Sequence, residues 1–397
     1  MNKLVPKLRF PTPLVKYKRF RFGDLVSIKS NKFNPAIESF VYPCIELEHI
    51  SQGTGILLGS VASDTVASQK NKFGAGDILF SKLRPYLKKY AMPTFTGICS
   101  SEIWVMKTNS LLEHSYLYQY IQTDKFIYEA NKSSGSKMPR SDWGVVSELS
   151  FYCPSKLEQE KIADFLTSVD TKISQLTEKH RLLKDYKKGV MQQVFSQKIR
   201  FKDDDGNDFP NWNEYALRDI LILQSDALKM DDEATYELIT VKRGFGGVKS
   251  RGHFKGKDVL VKNQFTIHKG EFVISKRQIV HGACGLVPEE LDGAIVSNEY
   301  NVFRPQSTKL DIDYFNRLST TLYIRRAFFI NSDGVHIEKL LFKTQSWLKT
   351  KVQLPCLKEQ QKIAQFLEAL DKKTNAVNEQ IEQTKLFKKG LLQQMFV

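Results

Sequence analysis

The sequence holds little of the chemistry that enzyme active sites are built from. Its seven histidines are scattered over 397 residues, with no HExxH pair and no spacing that would set a base beside a nucleophile. The five cysteines, Cys44, Cys99, Cys153, Cys284 and Cys356, stand far apart and are odd in number. That argues against a disulfide framework or a zinc site and predicts reduced thiols. The nearest approach to a phosphate-binding loop, Gly247 to His253, puts His253 where lysine is needed and Phe254 where Ser or Thr is needed, so it should not hold a nucleotide. Gly244, Gly246 and Gly247 open no dinucleotide-binding helix, and Asn34-Pro35 runs into Ala36 rather than an aromatic pocket residue. No apolar run approaches the roughly 18 residues of a membrane span. Met1 to Pro13 meets prolines and charges before any apolar stretch, so no signal peptide is expected and the chain should stay in the cytoplasm.

What the sequence does hold is a repeat. Residues 154–196 align without a gap on 355–397, at a constant offset of 201 (355 − 154). The matches include Pro154/Pro355, Glu158/Glu359, Gln159/Gln360, Lys161/Lys362, Phe165/Phe366, Asp170/Asp371, Lys187/Lys388, Gly189/Gly390 and Phe195/Phe396. Weaker echoes lie upstream, with Leu8-Arg9-Phe10 against Ile199-Arg200-Phe201, Asp24 against Asp219, Ser81-Lys82 against Ser275-Lys276, and Glu102 against Glu299. The drift of the upstream offsets reads as two tandem halves, each a globular region followed by a long helix. The expected boundaries are 1–153, 154–197, 198–354 and 355–397.

Within each repeated segment the apolar positions advance by alternating threes and fours. Leu166, Val169, Ile173, Leu176, Leu183, Val190 and Val194 form one stripe, interrupted by His180 and Lys187. Leu367, Leu370, Val377, Ile381, Leu391 and Met395 form the other, interrupted by Thr374, Thr384 and Lys388. This is a heptad seam, weak in either copy alone, and two such helices packed on each other would bury one stripe and fix a register through the polar positions. A helix of about 40 residues would be about 60 Å long, more than a compact domain of this size needs. A further apolar row, Leu182, Tyr186 and Met191 against Leu386, Phe387 and Leu392, is surplus to a two-helix seam and predicts a docking face for another protein. Gly189 and Gly390 predict a kink or a close approach.

The globular halves read as mixed α/β. Phe73 to Phe80, Ser100 to Met106, Glu271 to Ser275 and Ile295 to Phe303 predict strands, and Ser115 to Glu129 and Ile312 to Phe329 predict helices. The net charge of +15 is uneven: 1–153 holds a surplus of eight cations (20 − 12), and 198–354 a surplus of three (24 − 21). Such a surface attracts polyanions. Candidate contacts are Ser81, Lys82, Arg84, Lys88, Lys89, Ser134, Lys137 and Arg140 in the first half, and Lys242, Arg243, Lys249, Arg251, His253, Lys276, Arg277, Gln278 and His281 in the second. Arg and Lys can read guanine edges and Gln adenine edges, with the other cations on phosphates. A scaffold shared by two halves that differ nearly everywhere else is what two different ligands would require.

The segments Glu158 to Leu166 and Glu359 to Leu367, with Lys187-Lys188-Gly189 to Phe195, Lys388-Lys389-Gly390 to Phe396 and Gly76 to Pro85, resemble those of the specificity subunits of type I restriction-modification systems. The resemblance spans essentially the whole chain. It implies two α/β target-recognition domains separated by two long antiparallel helices in a pseudo-twofold tandem repeat. Each domain would read one half of a bipartite site on double-stranded DNA, while the helices set the unread gap and dock two methyltransferase subunits. Restriction subunits would join that core, with S-adenosylmethionine belonging to the modification subunits and ATP with Mg²⁺ to the restriction subunits. This chain would then be non-catalytic, with neither cofactor nor metal of its own. The competing expectation is a coiled-coil scaffold whose basic arms bind nucleic acid without sequence preference, and would release specific and random duplex together as salt is raised. A centre for methyl transfer or cleavage on this chain is a third, disfavoured reading.

Overall fold

A computed structural model describes residues 6–10, 16–132, 138–337 and 340–397. The chain forms two compact units, Met1–Lys179 with Val377–Val397, and His180–Ala376. Both long helices are present, Lys156–Phe195 and Leu357–Met395, each starting two residues after its proline. The first unit therefore contains the start of the central helix and the end of the C-terminal helix, and the second unit contains the converse pair. They run antiparallel: within the first unit Asp170 meets Lys388, and within the second Lys187 meets Asp371.

The first unit has a four-stranded antiparallel sheet in the order Val26–Ser27, Ile103–Thr108, Ile78–Ser81, Tyr90–Ala91. Beside it is a five-stranded sheet, Lys32–Phe33, Lys70–Phe73, Gly97–Cys99, Pro43–Ile45, Val61–Ala62, with one parallel pair. The second unit repeats this topology strand for strand. Its four-stranded sheet is Leu221–Gln224, Tyr300–Pro305, Phe272–Ser275, Cys284–Leu286. Its five-stranded sheet is Ala227–Leu228, Gln264–Thr266, Ile295–Ser297, Thr235–Val241, Val248–Lys255. In each unit a short antiparallel ribbon, Lys18–Arg21 with Ser150–Cys153 or Asn213–Ala216 with Lys351–Leu354, leads straight into the long helix.

The two-residue period of a strand explains why the central strands are apolar throughout. Ile78, Phe80, Trp104 and Met106 face a core that also holds helix residues Ile162, Leu166, Val169, Leu391 and Met395. Their neighbours Leu79, Ile103 and Val105 face the other way, against Ile45, Phe73 and Cys99 of the five-stranded sheet. In the second unit Phe272, Ile274 and Phe303 face the helix side with Val194, Ile363 and Leu367, and Val273 and Val302 face Ile239 and Val296. Packing against helices is therefore part of each core.

Several expected elements are divided. The stretch from Phe73 to Phe80 is two strands, because a turn with Gly76 at φ 84° separates Phe73 from Ile78. Ile295 to Phe303 likewise breaks after Ser297. The helical stretches split at Thr123 and Thr321, whose hydroxyls accept from the backbone N–H of Phe126 and Ile324 and cap a new helix. Gly189 and Gly390 lie inside uninterrupted helices, and among the described residues nothing comes within 4 Å of where a Cβ would sit, so neither marks a close approach there. Of the thiols, Cys44, Cys99, Cys153 and Cys284 are buried and Cys356 is half-buried. Burial raises Cys44 to about 11 and Cys153 to about 12, which keeps them protonated and unreactive.

Candidate nucleic-acid interface

Each globular region is bolted to its helix by the residues that repeat most strictly. Glu158, 1 % exposed, accepts from Arg9 Nε at 2.8 Å and Arg9 Nη2 at 2.7 Å, and from Tyr17 Oη at 3.0 Å. Glu359, fully buried, accepts from Arg200 Nε at 3.1 Å, Arg200 Nη2 at 2.7 Å and Trp212 Nε1 at 3.2 Å. A buried carboxylate is tolerable only when paired and bonded in this way. Tyr17 thus occupies, in the first half, the place of Trp212. Tyr17 itself is driven well above the usual phenol range by burial, then by the Glu158 charge. The next residue is a second bolt. Gln159 Oε1 accepts from Glu113 N and its Nε2 donates to Leu111 O and Pro154 O, while Gln360 does the same with Asp311 N, Lys309 O and Pro355 O.

Two of the polar interruptions, Lys388 and Lys187, form equivalent ion-pair nodes. In the first unit Lys388 Nζ donates to Asp170 Oδ1 and Oδ2 at 2.6 and 2.8 Å and to Gln122 Oε1 at 2.6 Å, and Gln119 Nε2 donates to the same carboxylate at 3.1 Å. In the second unit Asp371 is shared by Lys187 and Arg317. Burial lowers the Lys388 pKa against the opposing pull of Asp170. Among the seam residues, Leu166, Val169, Leu176, Leu367, Val377, Ile381, Leu391 and Met395 are buried, and Ile173, Leu183, Val190 and Leu370 are half-buried. Of the surplus row, Leu182, Tyr186, Leu386 and Phe387 are exposed, whereas Leu392 is buried and Met191 half-buried.

The candidate nucleic-acid contacts of the first half gather on one loop cluster. Residues 82–84 pair along 139–141, through Ser141 N to Lys82 O, Arg84 N to Pro139 O and a Leu83–Arg140 bridge. Lys82 N donates to Glu102 O, and Lys88 and Lys89 reach Gly53 and Gln52. Arg84 and Lys88, both at φ 51°, flank the single turn Pro85–Leu87. A left-handed backbone at a side chain other than glycine is strained and clusters at functional sites. Among the described residues no acidic side chain lies within ion-pair distance of Lys82 or Arg84. Lys88 is held by Asp124 at 3.1 Å, Arg140 by Glu102 at 3.0 Å, and Lys89 donates to Leu47 O at 2.6 Å. Ser81 is 1 % exposed and donates to Leu83 O, which makes it a brace for the loop without surface to present. Ser134 and Lys137 fall outside the described residues.

In the second half the hairpin turn at 242–247 packs on 279–282. Gly244 N and Phe245 N donate to His281 O and Gly282 O, and a Cβ on Gly282 would strike the Phe245 ring at 2.8 Å. Lys242, Arg243, Lys249, Arg251, His253 and Arg277 are exposed; Lys276, Gln278 and His281 are half-buried. Lys276 donates to Asn298 O, and Arg277 pairs with Glu299 at 2.6 Å. The strand Val248–Lys255 is much longer than its counterpart Val61–Ala62 and carries a bulge, since Leu238 pairs with Gly252 while Ile239 pairs with Ser250. Arg251 is the extra residue. The bulge reverses alternation, so Lys249 and His253, two places of one face in a regular strand, point to opposite faces. His253 shares its face with Glu237, 3.8 Å away. Arg251 lies over the Phe254 ring, and burial raises the Tyr300 phenol against an opposing pull from the Arg251 charge. Tyr300, Phe254 and Phe245 were not among the sequence candidates. An apolar or aromatic residue in a strand pattern carries no mark of facing a loop cluster.

A family model described as the type I restriction modification DNA specificity domain matches the chain twice, over residues 15–184 and 211–384. The chain is 31% identical over 170 residues to the type I restriction enzyme EcoDI specificity subunit of Escherichia coli, a match covering 38% of each protein. It is 22% identical over 402 residues to the MjaVIII specificity subunit of Methanocaldococcus jannaschii, covering 94% of this chain and 90% of that one. Among solved structures, the type I restriction-modification S subunit from M. genitalium superposes with a TM-score of 0.57 at 13% identity, covering 99% of both chains.

Proposed function

Since the chain belongs to the type I restriction-modification DNA specificity family, we propose that it recognises a split DNA sequence, each globular region reading one half. The observation that carries this reading is the pairing of one scaffold, repeated strand for strand and bolted to its helix by the same Glu-Gln pair, with loop clusters of different composition. In the first half Lys82, Arg84 and Arg140 read or position the duplex, with Lys88 and Lys89 on phosphates. In the second half Arg251, Arg277 and Gln278 read bases, and Lys242, Arg243, Lys249 and Lys276 hold phosphates. His253 and His281 serve as supports. At about 1–3 kcal/mol of discrimination per base pair, one half-site of three or four pairs is too weak against a genome, whereas two joined half-sites suffice.

Catalysis belongs to partner subunits in this reading. The exposed side chains Leu182 and Tyr186 on one helix, and Leu386 and Phe387 on the other, are the docking points for methyltransferase subunits that bring S-adenosylmethionine. Restriction subunits bring ATP and Mg²⁺. Exchanging residues 1–153 for those of a relative should change one half of the methylated sequence in an adenine-methylation map and leave the other; a change in both halves would refute modular reading. The helices set the gap. A four-residue insertion after Thr177 alone throws one ion-pair node out of register, whereas matched insertions after Thr177 and Asn378 lengthen both helices by about 6 Å. The matched variant should methylate sites with a gap about two base pairs longer at 3.4 Å each.

A further inference from the structure

The second unit contains a cleft of about 1260 Å³ between the end of the central helix, the 318–325 segment and the ribbon before the C-terminal helix. Small-molecule sites run to about 1,000 Å³ at most, so this space suits several side chains of a polypeptide. Its apolar lining is formed by Met191, Phe195, Trp212, Leu322, Tyr323 and Val352. Leu322 is 73% exposed, a large apolar group left in water. The charged lining is mainly cationic. Lys187 and Asp371 satisfy each other, and Lys351 is paired with Glu214. Lys184, Lys188 and Arg325 also line the cleft, and among the described residues no acidic side chain lies within ion-pair distance of them. Arg325 is held over the Phe245 ring, which orients its charge without neutralising it.

We propose that this cleft is a docking socket for an acidic segment of a protein partner, anchored by an aromatic or aliphatic side chain. The charge surplus selects an acidic occupant. The apolar lining selects polypeptide over duplex, because phosphates would cover Leu322, Met191 and Trp212 with nothing that profits from leaving water. A second copy of this chain, at net +15, brings the wrong sign. Among the described residues the first half lacks the apolar helix start that lines the socket. Aligning the helix-capping threonines, Thr123 with Thr321, puts Asp124 and Lys125 where the second half has Leu322 and Tyr323, and Asp124 is already engaged by Lys88 and Gln393. The occupant therefore binds once per chain. This rests on the reading above only in taking the chain to work inside an assembly.

The test uses the full chain and a fluorescein-labelled helical peptide of about twelve residues, mostly glutamate, with phenylalanine and leucine four positions apart. Fluorescence anisotropy should show one site per chain, weakened by salt. Affinity should fall about tenfold or more in the double variant Lys184→Glu, Lys188→Glu, and about tenfold in Leu322→Ser, where all three positions are exposed and tolerate substitution. A peptide with lysine in place of glutamate should not bind. Equal binding of both peptides, indifference to the charge reversal, or displacement of the peptide by random duplex at lower concentration than by unlabelled peptide would each overturn the socket. Methylation by the assembled complex separates the two levels: absent peptide binding with intact half-site specificity sinks the socket alone, while loss of specificity in the unaltered chain sinks the reading beneath it.

Discussion

Removing one carboxylate, Asp170, should be far more costly than removing the lysine it faces. Lys388 is buried and its ammonium is surrounded by both Asp170 oxygens and Gln122 Oε1, whereas the Asp170 side chain is about a third exposed, at 34%. Asp170→Asn leaves a buried cation with amide partners only, a loss of about 3 kcal/mol, the low end for a broken buried pair. Lys388→Met leaves a carboxylate that water and Gln119 can reach and fills the seam with an apolar chain, a loss of about 1 kcal/mol. In the Lys388→Met background Asp170→Asn should then cost little. Because two units need not unfold together, the measurement is hydrogen-exchange protection of amides in 114–130 and 385–395 under native conditions. The pH dependence has a definite sign. The folded Lys388 pKa lies below its ordinary 10.5, so between the two values the unfolded chain binds more protons and stability rises with pH. Below that window both states are protonated and the burial penalty stands in full. Asp170→Asn removes the attraction that opposes it, extends the window downward and steepens the gain on the alkaline side. Equal costs for the two single variants, or a flat alkaline profile in Asp170→Asn, would refute this account of the node.

The equivalent change Asp371→Asn strands two cations, but the Lys187 and Arg317 side chains are both 23% exposed and less dependent on it. Its cost should be nearer 1 kcal/mol by the same exchange measurement on 312–330. Glu359→Gln removes the charge that Arg200 grips, but the Arg200 side chain is 25% exposed and also donates to Phe209 O and Pro210 O, so stability should fall by about 1–2 kcal/mol in urea unfolding, with a shift in Trp212 emission as its Nε1 partner changes. Gly189→Ala and Gly390→Ala should each stabilise the helix by up to about 1 kcal/mol, read as a raised Tm. A gain in Tm accompanied by weaker methyltransferase binding would show that a partner occupies the open space beside them. Arg84→Ala should relax discrimination at one base pair of the first half-site by about 1–3 kcal/mol, and Lys249→Ala should weaken all duplexes alike and reduce the salt slope by about one.

The helices were legible in the sequence because their constraint is periodic: a repeat at constant offset with steps of three and four can only be a helix with one buried stripe. The expected segment starts, 154 and 355, lie within two residues of the helix starts at Lys156 and Leu357. The meaning of Glu158 and Gln159 was not legible, since burying a carboxylate and an amide at a helix start makes sense only once Arg9, Tyr17 and the 111–113 turn arrive from far along the chain. Strand limits failed where a turn residue is hidden within an apolar run, as at Gly76. The contacts offered for nucleic acid were chosen by charge, and charge does not report what neutralises it: Arg140, Arg277 and Lys88 each prove to have a local carboxylate, while among the described residues Lys82 and Arg84 do not. The bulge at Arg251 is beyond sequence reading altogether, because it depends on the partner strand being one residue shorter.

The division of the first unit between residues 1–179 and 377–397 bears on how the chain is made. Leu391, Leu392 and Met395 fill the same core as Tyr116, Tyr120 and Phe151, and in synthesis they follow the whole second lobe. The first lobe must therefore wait on the ribosome, its aromatic interior uncovered, until more than half of the polypeptide has followed it. Nascent chains stalled before Leu391 should be bound by chaperones through their opening third, although that third was translated first.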